Sequence, residues 1–460
     1  MIEENLKINA EAEKTLSIED LFSGLTELEP LPIANFVPIN AAEQKKAFID
    51  GTIDIPDHIY DKPNMIDFEL KRQKINATGN IIVSHPDVQQ KYRNVYAQFI
   101  QNYLDKTNFI EASTKVKSAQ TVKEKSDAKL NFMELNEKLY GVPDIFTYQS
   151  LIGEKISTIS KNQYSENGLK IRSELFDLIN EGSFEKKDRF QPSQATVDWL
   201  HDIVDSENSL YGSMLEHVPE QDSFNDLEIK TVFESILIDE FDLRLVSNPA
   251  EAGLLWQIVI QDAQSVNVKA AEKKIVIPIG RTVNYQQLRK LVVHEIGVHF
   301  LRSNMGAQTD LSPLEWGLND YYDTEEGLGA VMEQGLLGKY REAGADHYIT
   351  AGLAYFDGKN FRDIFETKWR IALLTSNSDP SDDDISKAKN TAYNATMRIM
   401  RGTDELPWFK DLSYYNGAIK VWERLESIRG DETEFMLLLL GKADSGNPDH
   451  RRILLETATK

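Results

Sequence analysis

The chain has 460 residues, 41% hydrophobic and 27% charged, which are globular proportions that allow a sizeable core and two or three domains. A formal net charge of −23 argues against nucleic-acid and anionic-membrane partners, whose phosphates would be repelled. With no cysteine, disulfides, thiolate metal sites and cysteine nucleophiles are excluded, so any metal ligands must be His, Asp or Glu.

The first twenty residues, MIEENLKINAEAEKTLSIED, are acidic and lack the apolar centre of a signal peptide. No apolar run approaches the roughly 20 residues of a membrane helix. The expectation is a cytoplasmic protein. Residues 1–75 read as an N-terminal extension or arm. Two proline-punctuated stretches in it, 30–40 and 53–65, read as extended. The basic KRQK at 71–74 reads as solvated linker. From residue 88 the spacing turns helical, with Tyr92, Val95, Phe99 and Tyr103 at three- and four-residue steps over 88–106. Further helices are expected at 130–140, 144–158, 169–182, 191–205 (capped by Ser193) and 227–241. Three β-like runs follow, DLRLVS (242–247), LLWQIVIQ (254–261) and KKIVIPIG (273–280). They predict a small, mainly antiparallel sheet. NYQQ (284–287) has the pattern of a capping box that opens a helix ending near 304–306. DTEEGLGAVMEQGLL (323–337) shows a second such pattern, Asp323 with Glu326. The remainder is mainly helical. SNSDPSDDDIS (376–386) lacks the glycine of a calcium loop and reads as a solvated helix cap.

The helix after NYQQ contains LVVHEIGVHF (291–300), with His294, Glu295 and His299 in an apolar run. Histidines four apart on an α-helix lie about 40° apart around the axis and can share one ion. Five apart, they diverge by about 140°. A π-type turn, hydrogen-bonded i to i+5, would restore the register, and Gly297 lies where distortion is cheapest. The alternative is two core histidines on an apolar helix. Against it, two imidazoles and a carboxylate are costly to bury unless paired or metal-bound. A catalytic zinc needs a third protein ligand, and Glu325 and Glu326 of DTEEGLG are the best candidates; capping is the alternative role for a Glu in a first turn.

HEIGVH followed by TEEGLG resembles the signature of the microtubule-associated tyrosine carboxypeptidases and their bacterial relatives, zinc metallopeptidases with a His-Glu-x-x-x-His helix and a Gln-Glu-Gly-Leu-Ala motif. The likeness extends to the strand–loop–helix entry (275–308) and to RIMRGTDELPWFKDLSYYNG (398–417), similar to the family's Arg-Gly and Lys-Asp-x-x-Tyr segments. It covers about residue 130 to the C-terminus. The motif's final Ala is Gly329 here, and the family's Gln-Pro after the helix is Gln308-Thr309. The first departure is expected to change little.

The resemblance implies an α+β, mostly helical, zincin-like metallopeptidase, with the small sheet beside the metal-binding helix. Residues 76–460 would form the catalytic domain: a helical part (76–225), a sheet and metal-binding part (226–340) and a C-terminal helical part (341–460). It implies Zn²⁺ held by His294, His299 and Glu326, with Glu295 as general base and acid. Tyr414 is the first candidate for oxyanion stabilisation and Tyr322 another; a core role is the alternative for both. Arg281 or Arg401 would bind the substrate's terminal carboxylate. The strand KKIVIP offers an edge for a peptide. The implied partner is a peptide or protein C-terminus ending in an aromatic, tyrosine-like residue. The acidic balance fits a polyacidic tubulin tail poorly, so tubulin is not carried over. The competing readings are a zinc hydrolase of other specificity, endopeptidase or amidase, and an inactive binding scaffold of the same fold.

Overall fold

A computed structural model describes residues 16–28, 36–179, 184, 189–246, 255–263 and 265–458. The chain is α+β and mostly helical, the class the sequence predicts. The early helices appear with shifted ends: Arg93–Ser118, Val122–Tyr140, Ile145–Lys161, Glu166–Leu178, Gln194–Asp205 and Asp226–Asp239. Position 182, the expected end of one of them, lies outside the described residues. The second of these starts eight residues before its apolar period is legible. Its first turns, VKEKSDAK, are mostly exposed except at Ala128, and their start is set by a capping box between Thr121 and Glu124. Ser193 caps its helix as expected, accepting from the Thr196 amide. The acidic stretch is also a cap, with Ser381 and Asp384 in a capping box that opens Asp382–Ile399.

The N-terminal 75 residues are more helical than their prolines implied. They carry Ile18–Thr26 and Ala41–Ile49, and Phe68–Ser84 runs across position 75. Residues 30–35 lie outside the described residues. KRQK is helical, and Arg72 bridges Glu69 and Glu111. Phe22 and Leu25 pack with Tyr96, Phe99 and Leu454 in one apolar cluster, so the first helix is tied to both the middle and the end of the chain. No described helix is long and apolar enough to cross a membrane.

The elements that frame the site are α1 (Asp226–Asp239), β1 (Gln257–Gln261), β2 (Asn267–Lys269), β3 (Lys274–Pro278), α2 (Tyr285–Leu291), a π-helical segment (Val292–Phe300), α3 (Leu301–Ala307), α4 (Tyr321–Leu336) and α5 (Ser413–Ile428). The sheet is mixed, not mainly antiparallel. Its order is β1-β3-β2, with β1 parallel to β3 and β2 antiparallel to it. Residues 242–246 of DLRLVS are not a strand; Val246 only donates to the Trp256 carbonyl, and 247 lies outside the described residues. The third strand is instead the three-residue β2, too short to show alternation. Over Lys274–Val276, β3 is paired on both sides, so KKIVIP is the centre of the sheet and not a free edge.

Ile258, Ile275 and Ile277 of the sheet share one core with Val292, Val293, Ile296 and Val298 of the π segment, Leu328, Val331 and Met332 of α4, and Val421 and Trp422 of α5. The α4–α5 crossing is the tightest of these contacts. A Cβ on Gly327 would lie 2.1 Å from the carbonyl carbon of Gly417, and one on Gly417 would lie 1.9 Å from the Asp323 oxygen. The two backbones touch there, which no larger residue allows. Gly327 follows Glu326, and Gly417 lies one turn after Tyr414, so the crossing fixes how the two motifs meet.

Gly417→Ala is expected to destabilise the fold by about 1–3 kcal/mol through overpacking at this crossing. Chemical denaturation measures it; an unchanged midpoint would show that the helices can part without cost.

Candidate metal centre and active site

The quoted histidine motif lies wholly within the π segment, nine residues from Val292 to Phe300. The i to i+5 bonding brings His294 and His299 onto one face, with ring centroids 4.9 Å apart and planes at 69°. The NYQQ capping box is present: Asn284 and Gln287 cap each other's amides and start the helix. Gly297 does more than ease the distortion. The Tyr211 ring packs against it so closely that a Cβ would lie 2.5 Å from Cε1. The Tyr211 hydroxyl donates to the Gly297 carbonyl at 2.8 Å, taking up a carbonyl inside the π segment.

Helix α4 crosses this face. Its start differs from the capping box expected of Asp323 and Glu326. The N-cap is Asp320, in the left-handed conformation and without a side-chain cap bond, so both residues lie inside the helix. Glu326 is therefore not spent on capping. His294, His299 and Glu326 each present a ligand atom within 4.8 Å of the other two, a group spaced to hold a metal ion. All three are half-buried.

Each histidine is oriented by a carboxylate of the same helix. Nδ1 of His294 pairs with Glu333 at 2.7 Å, and Nδ1 of His299 with Glu325 at 2.8 Å. Both Nε2 atoms are left for an ion, the arrangement that fixes the ring and raises ligand basicity. Glu325 stands where the family motif has Gln. Its extra charge is met by Arg302, nearly inaccessible and held by the carbonyls of Gly441 and Ala443, and by Lys442 at 3.6 Å. Burial opposes its ionisation, but Lys442, Arg302 and His299 outweigh that and hold the carboxyl well below the usual range. Burial also opposes a charge on His294, yet Glu333, Glu295 and Glu326 raise it to about 9 in the metal-free chain.

Glu295 is buried beside this group and, among the described residues, makes no side-chain hydrogen bond. Burial raises its pKa more than the two imidazoles lower it. A buried carboxylate without a partner is costly and calls for a ligand. With two free imidazole nitrogens and the Glu326 carboxylate, the donor set fits a divalent ion of the zinc type.

The end of the chain supplies the other wall. Tyr322 donates to Glu326 at 2.6 Å, so this hydroxyl is already engaged. Lys410 lies 3.8 Å from the same carboxylate oxygen and 4.4 Å over the Tyr322 ring. Tyr414 is packed among Arg398, Lys410 and His347. Burial, with Glu326 nearby, lifts its hydroxyl well above the usual range, so it stays protonated and can donate. Arg401 is half-buried, 3.6 Å from Asp411 and over the Trp408 ring. Arg281 is exposed in the turn after β3, and no contact among the described residues ties it to the cluster.

Residues 214–450 match the model of the microtubule-associated tyrosine carboxypeptidase family, more than half of the chain. The chain belongs to this family. No curated protein matches. One solved structure does: a protein assigned as a lipoprotein of unknown function from Shewanella oneidensis, 10% identical, aligned over 84% of this chain and 72% of that one, at a TM-score of 0.27. That likeness is too weak to carry an argument. The family match includes both motifs and the segment from Arg398 to Gly417.

The departure of this chain at Gly329 is not neutral. A Cβ there, as in the family's Ala, would lie 2.7 Å from Cε1 of His294. The ring rests on the α4 backbone. Sequence reasoning missed Glu333, Arg302, Lys442, Lys410 and Arg398. One signal was available: Glu333 lies seven residues after Glu326, two turns along the same face.

Gly297→Ala is expected to cost about 1–3 kcal/mol, because the new methyl meets the Tyr211 ring. Adding Tyr211→Ala should make the second substitution less costly than in wild type. A strictly additive double-mutant cycle, measured by denaturation, would refute this account of the glycine.

Proposed function

We propose that the protein is a zinc-dependent carboxypeptidase that removes a C-terminal residue, aromatic by family resemblance, from a peptide or protein. The observation that carries this reading is the convergence of His294, His299 and Glu326 beside a buried, unpartnered Glu295 in a chain of the tyrosine carboxypeptidase family. Zinc bound by those three ligands would supply Lewis acidity toward the scissile carbonyl and acidify a water. Glu295 would take the attacking water's proton and deliver it to the leaving amine; its raised pKa suits both halves of the transfer. Glu333 and Glu325 hold the two imidazoles in the tautomer that leaves Nε2 free. Tyr322 steadies Glu326, and the Tyr414 hydroxyl donates to the oxygen that gains charge at the tetrahedral stage. Glu295, Tyr414 and the three ligands are thus assigned roles in one step. Of the two arginines considered for the terminal carboxylate, Arg401 is the one near this cluster.

A C-terminally randomised peptide library tests the reading. Wild type should release single C-terminal residues, and Glu295→Gln should lower the rate at least about 100-fold while keeping its metal. Internal cleavage would favour an endopeptidase. Absence of bound metal after zinc is added back to purified protein would sink both enzyme readings.

Metal uptake should also depend on pH. His294 is protonated near neutrality in the metal-free chain, and zinc must displace that proton. Affinity should rise with pH and level off near 9, and calorimetry in buffers of different ionisation enthalpy should find about one proton released per metal at pH 7. Glu333→Ala should weaken metal binding about 10- to 100-fold. Affinity independent of both pH and Glu333 would refute the ligand role of His294.

A further inference from the structure

The segment after Asp382–Ile399 gathers three cations, Arg398, Arg401 and Lys410, around one acid, Asp411. Arg398 takes both oxygens of Asp411, Nε to Oδ2 at 2.7 Å and Nη2 to Oδ1 at 3.1 Å. Arg401 stands 3.6 Å from Oδ2 and donates Nε to the Arg398 carbonyl at 3.2 Å. Both hydrogen bonds to the Asp411 carboxylate thus come from Arg398. Lys410 is left over. Its ammonium is 4.0 Å from Asp411 and 3.8 Å from Glu326, and among the described residues it donates no hydrogen bond. Only 14% of its side chain is exposed, so little water replaces the missing acceptors. A nearly buried ammonium with three donors and no close acceptor is costly, unless a ligand supplies the acceptor.

Its location says which acceptor. In a peptide cut before its last residue, the terminal carboxylate is one residue beyond the scissile carbonyl, at most about 3.6 Å along the chain. The group that binds it must therefore sit within one residue's reach of the metal ligands. Lys410 does, beside Glu326 and over Tyr322, which is bonded to that ligand. Arg401 is turned to Asp411 and Trp408, and Arg281 is exposed, with no contact to the cluster among the described residues. We infer that the Lys410 ammonium anchors the substrate's C-terminal carboxylate, and that this contact makes the site select chain ends over internal peptide bonds. The inference rests on the carboxypeptidase reading above and names the residue that enforces it. Arg398 and Arg401 act through Asp411, holding the Phe409–Leu412 turn from which Lys410 projects.

Two labelled peptides of identical sequence ending in tyrosine, one a free acid and one a carboxamide, test this. Wild type should strongly prefer the free acid. In Lys410→Met, kcat/KM for the free acid should fall about 30- to 100-fold, mainly through KM, as expected for losing a hydrogen-bonded charge. Lys410→Arg should recover part of it. Fluorescence anisotropy on the metal-free protein gives a readout apart from turnover: Lys410→Met should weaken free-acid binding and leave carboxamide binding within about twofold. If Lys410→Met does not fold, Lys410→Gln takes its place. Free-acid preference retained in a variant with wild-type metal content and melting curve overturns the anchor alone. A wild type that treats acid and carboxamide alike overturns the carboxypeptidase reading itself.

Discussion

The site depends on one local constraint: two histidines five residues apart must face the same way on one helix. A regular α-helix turns them about 140° apart, and only i to i+5 bonding brings them together. The π segment that does so is held from both sides. Tyr211 fills the space where a Gly297 side chain would be and takes up its carbonyl. The core side chains Val292, Val293, Ile296 and Val298 lock the opposite face against the sheet. A helix defect of this kind persists only where its surroundings over-determine it, and here every residue of it except His294 and His299 is buried.

A second helix turns that face into a site. Glu325, Glu326 and Glu333 all belong to α4: one is spaced as a ligand, and the other two each grip a histidine Nδ1. The electrostatics are compatible with a bound metal ion. Four carboxylates, including Glu295, crowd around two imidazoles, and Arg302, Lys442 and Lys410 answer them from outside the group. Glu325 in place of the family's Gln adds a charge. Arg302 and Lys442, neither of which touches the three ligands, make that charge tolerable in the interior. Gly329 completes the fit by letting the His294 ring lie on the helix backbone.

The third wall comes from far along the chain. Because Gly327 and Gly417 bring the backbones of α4 and α5 into contact, the turn before α5 and its first residues carry Lys410 and Tyr414 toward Glu326. Much of this was legible in advance. The His-Glu-x-x-x-His spacing and the TEEGLG motif pick out the three residues that converge, the NYQQ cap gives the helix start, and the resemblance names the family. The sheet was read less well, because Asn267–Lys269 is too short to alternate and its pairing joins segments by tertiary packing. The supposed cap at Asp323 and Glu326 failed for a related reason: its pattern fits a helix start, but an αL Asp320 begins the helix earlier.

By itself, the sequence determined the class of fold, the absence of cysteine chemistry, the helix that needs a π-turn and the residue types able to ligate. Those follow from local rules of period, capping and side-chain chemistry, which act over a few residues. Which carboxylate grips which imidazole, why Gly297 and Gly417 must be glycine, and which cation is left without a close hydrogen-bond acceptor were decided only in three dimensions. Each depends on atoms from segments 23 to 141 positions apart, as in Arg302 with Glu325 and with Ala443, and no periodicity within a segment encodes the partner it will meet.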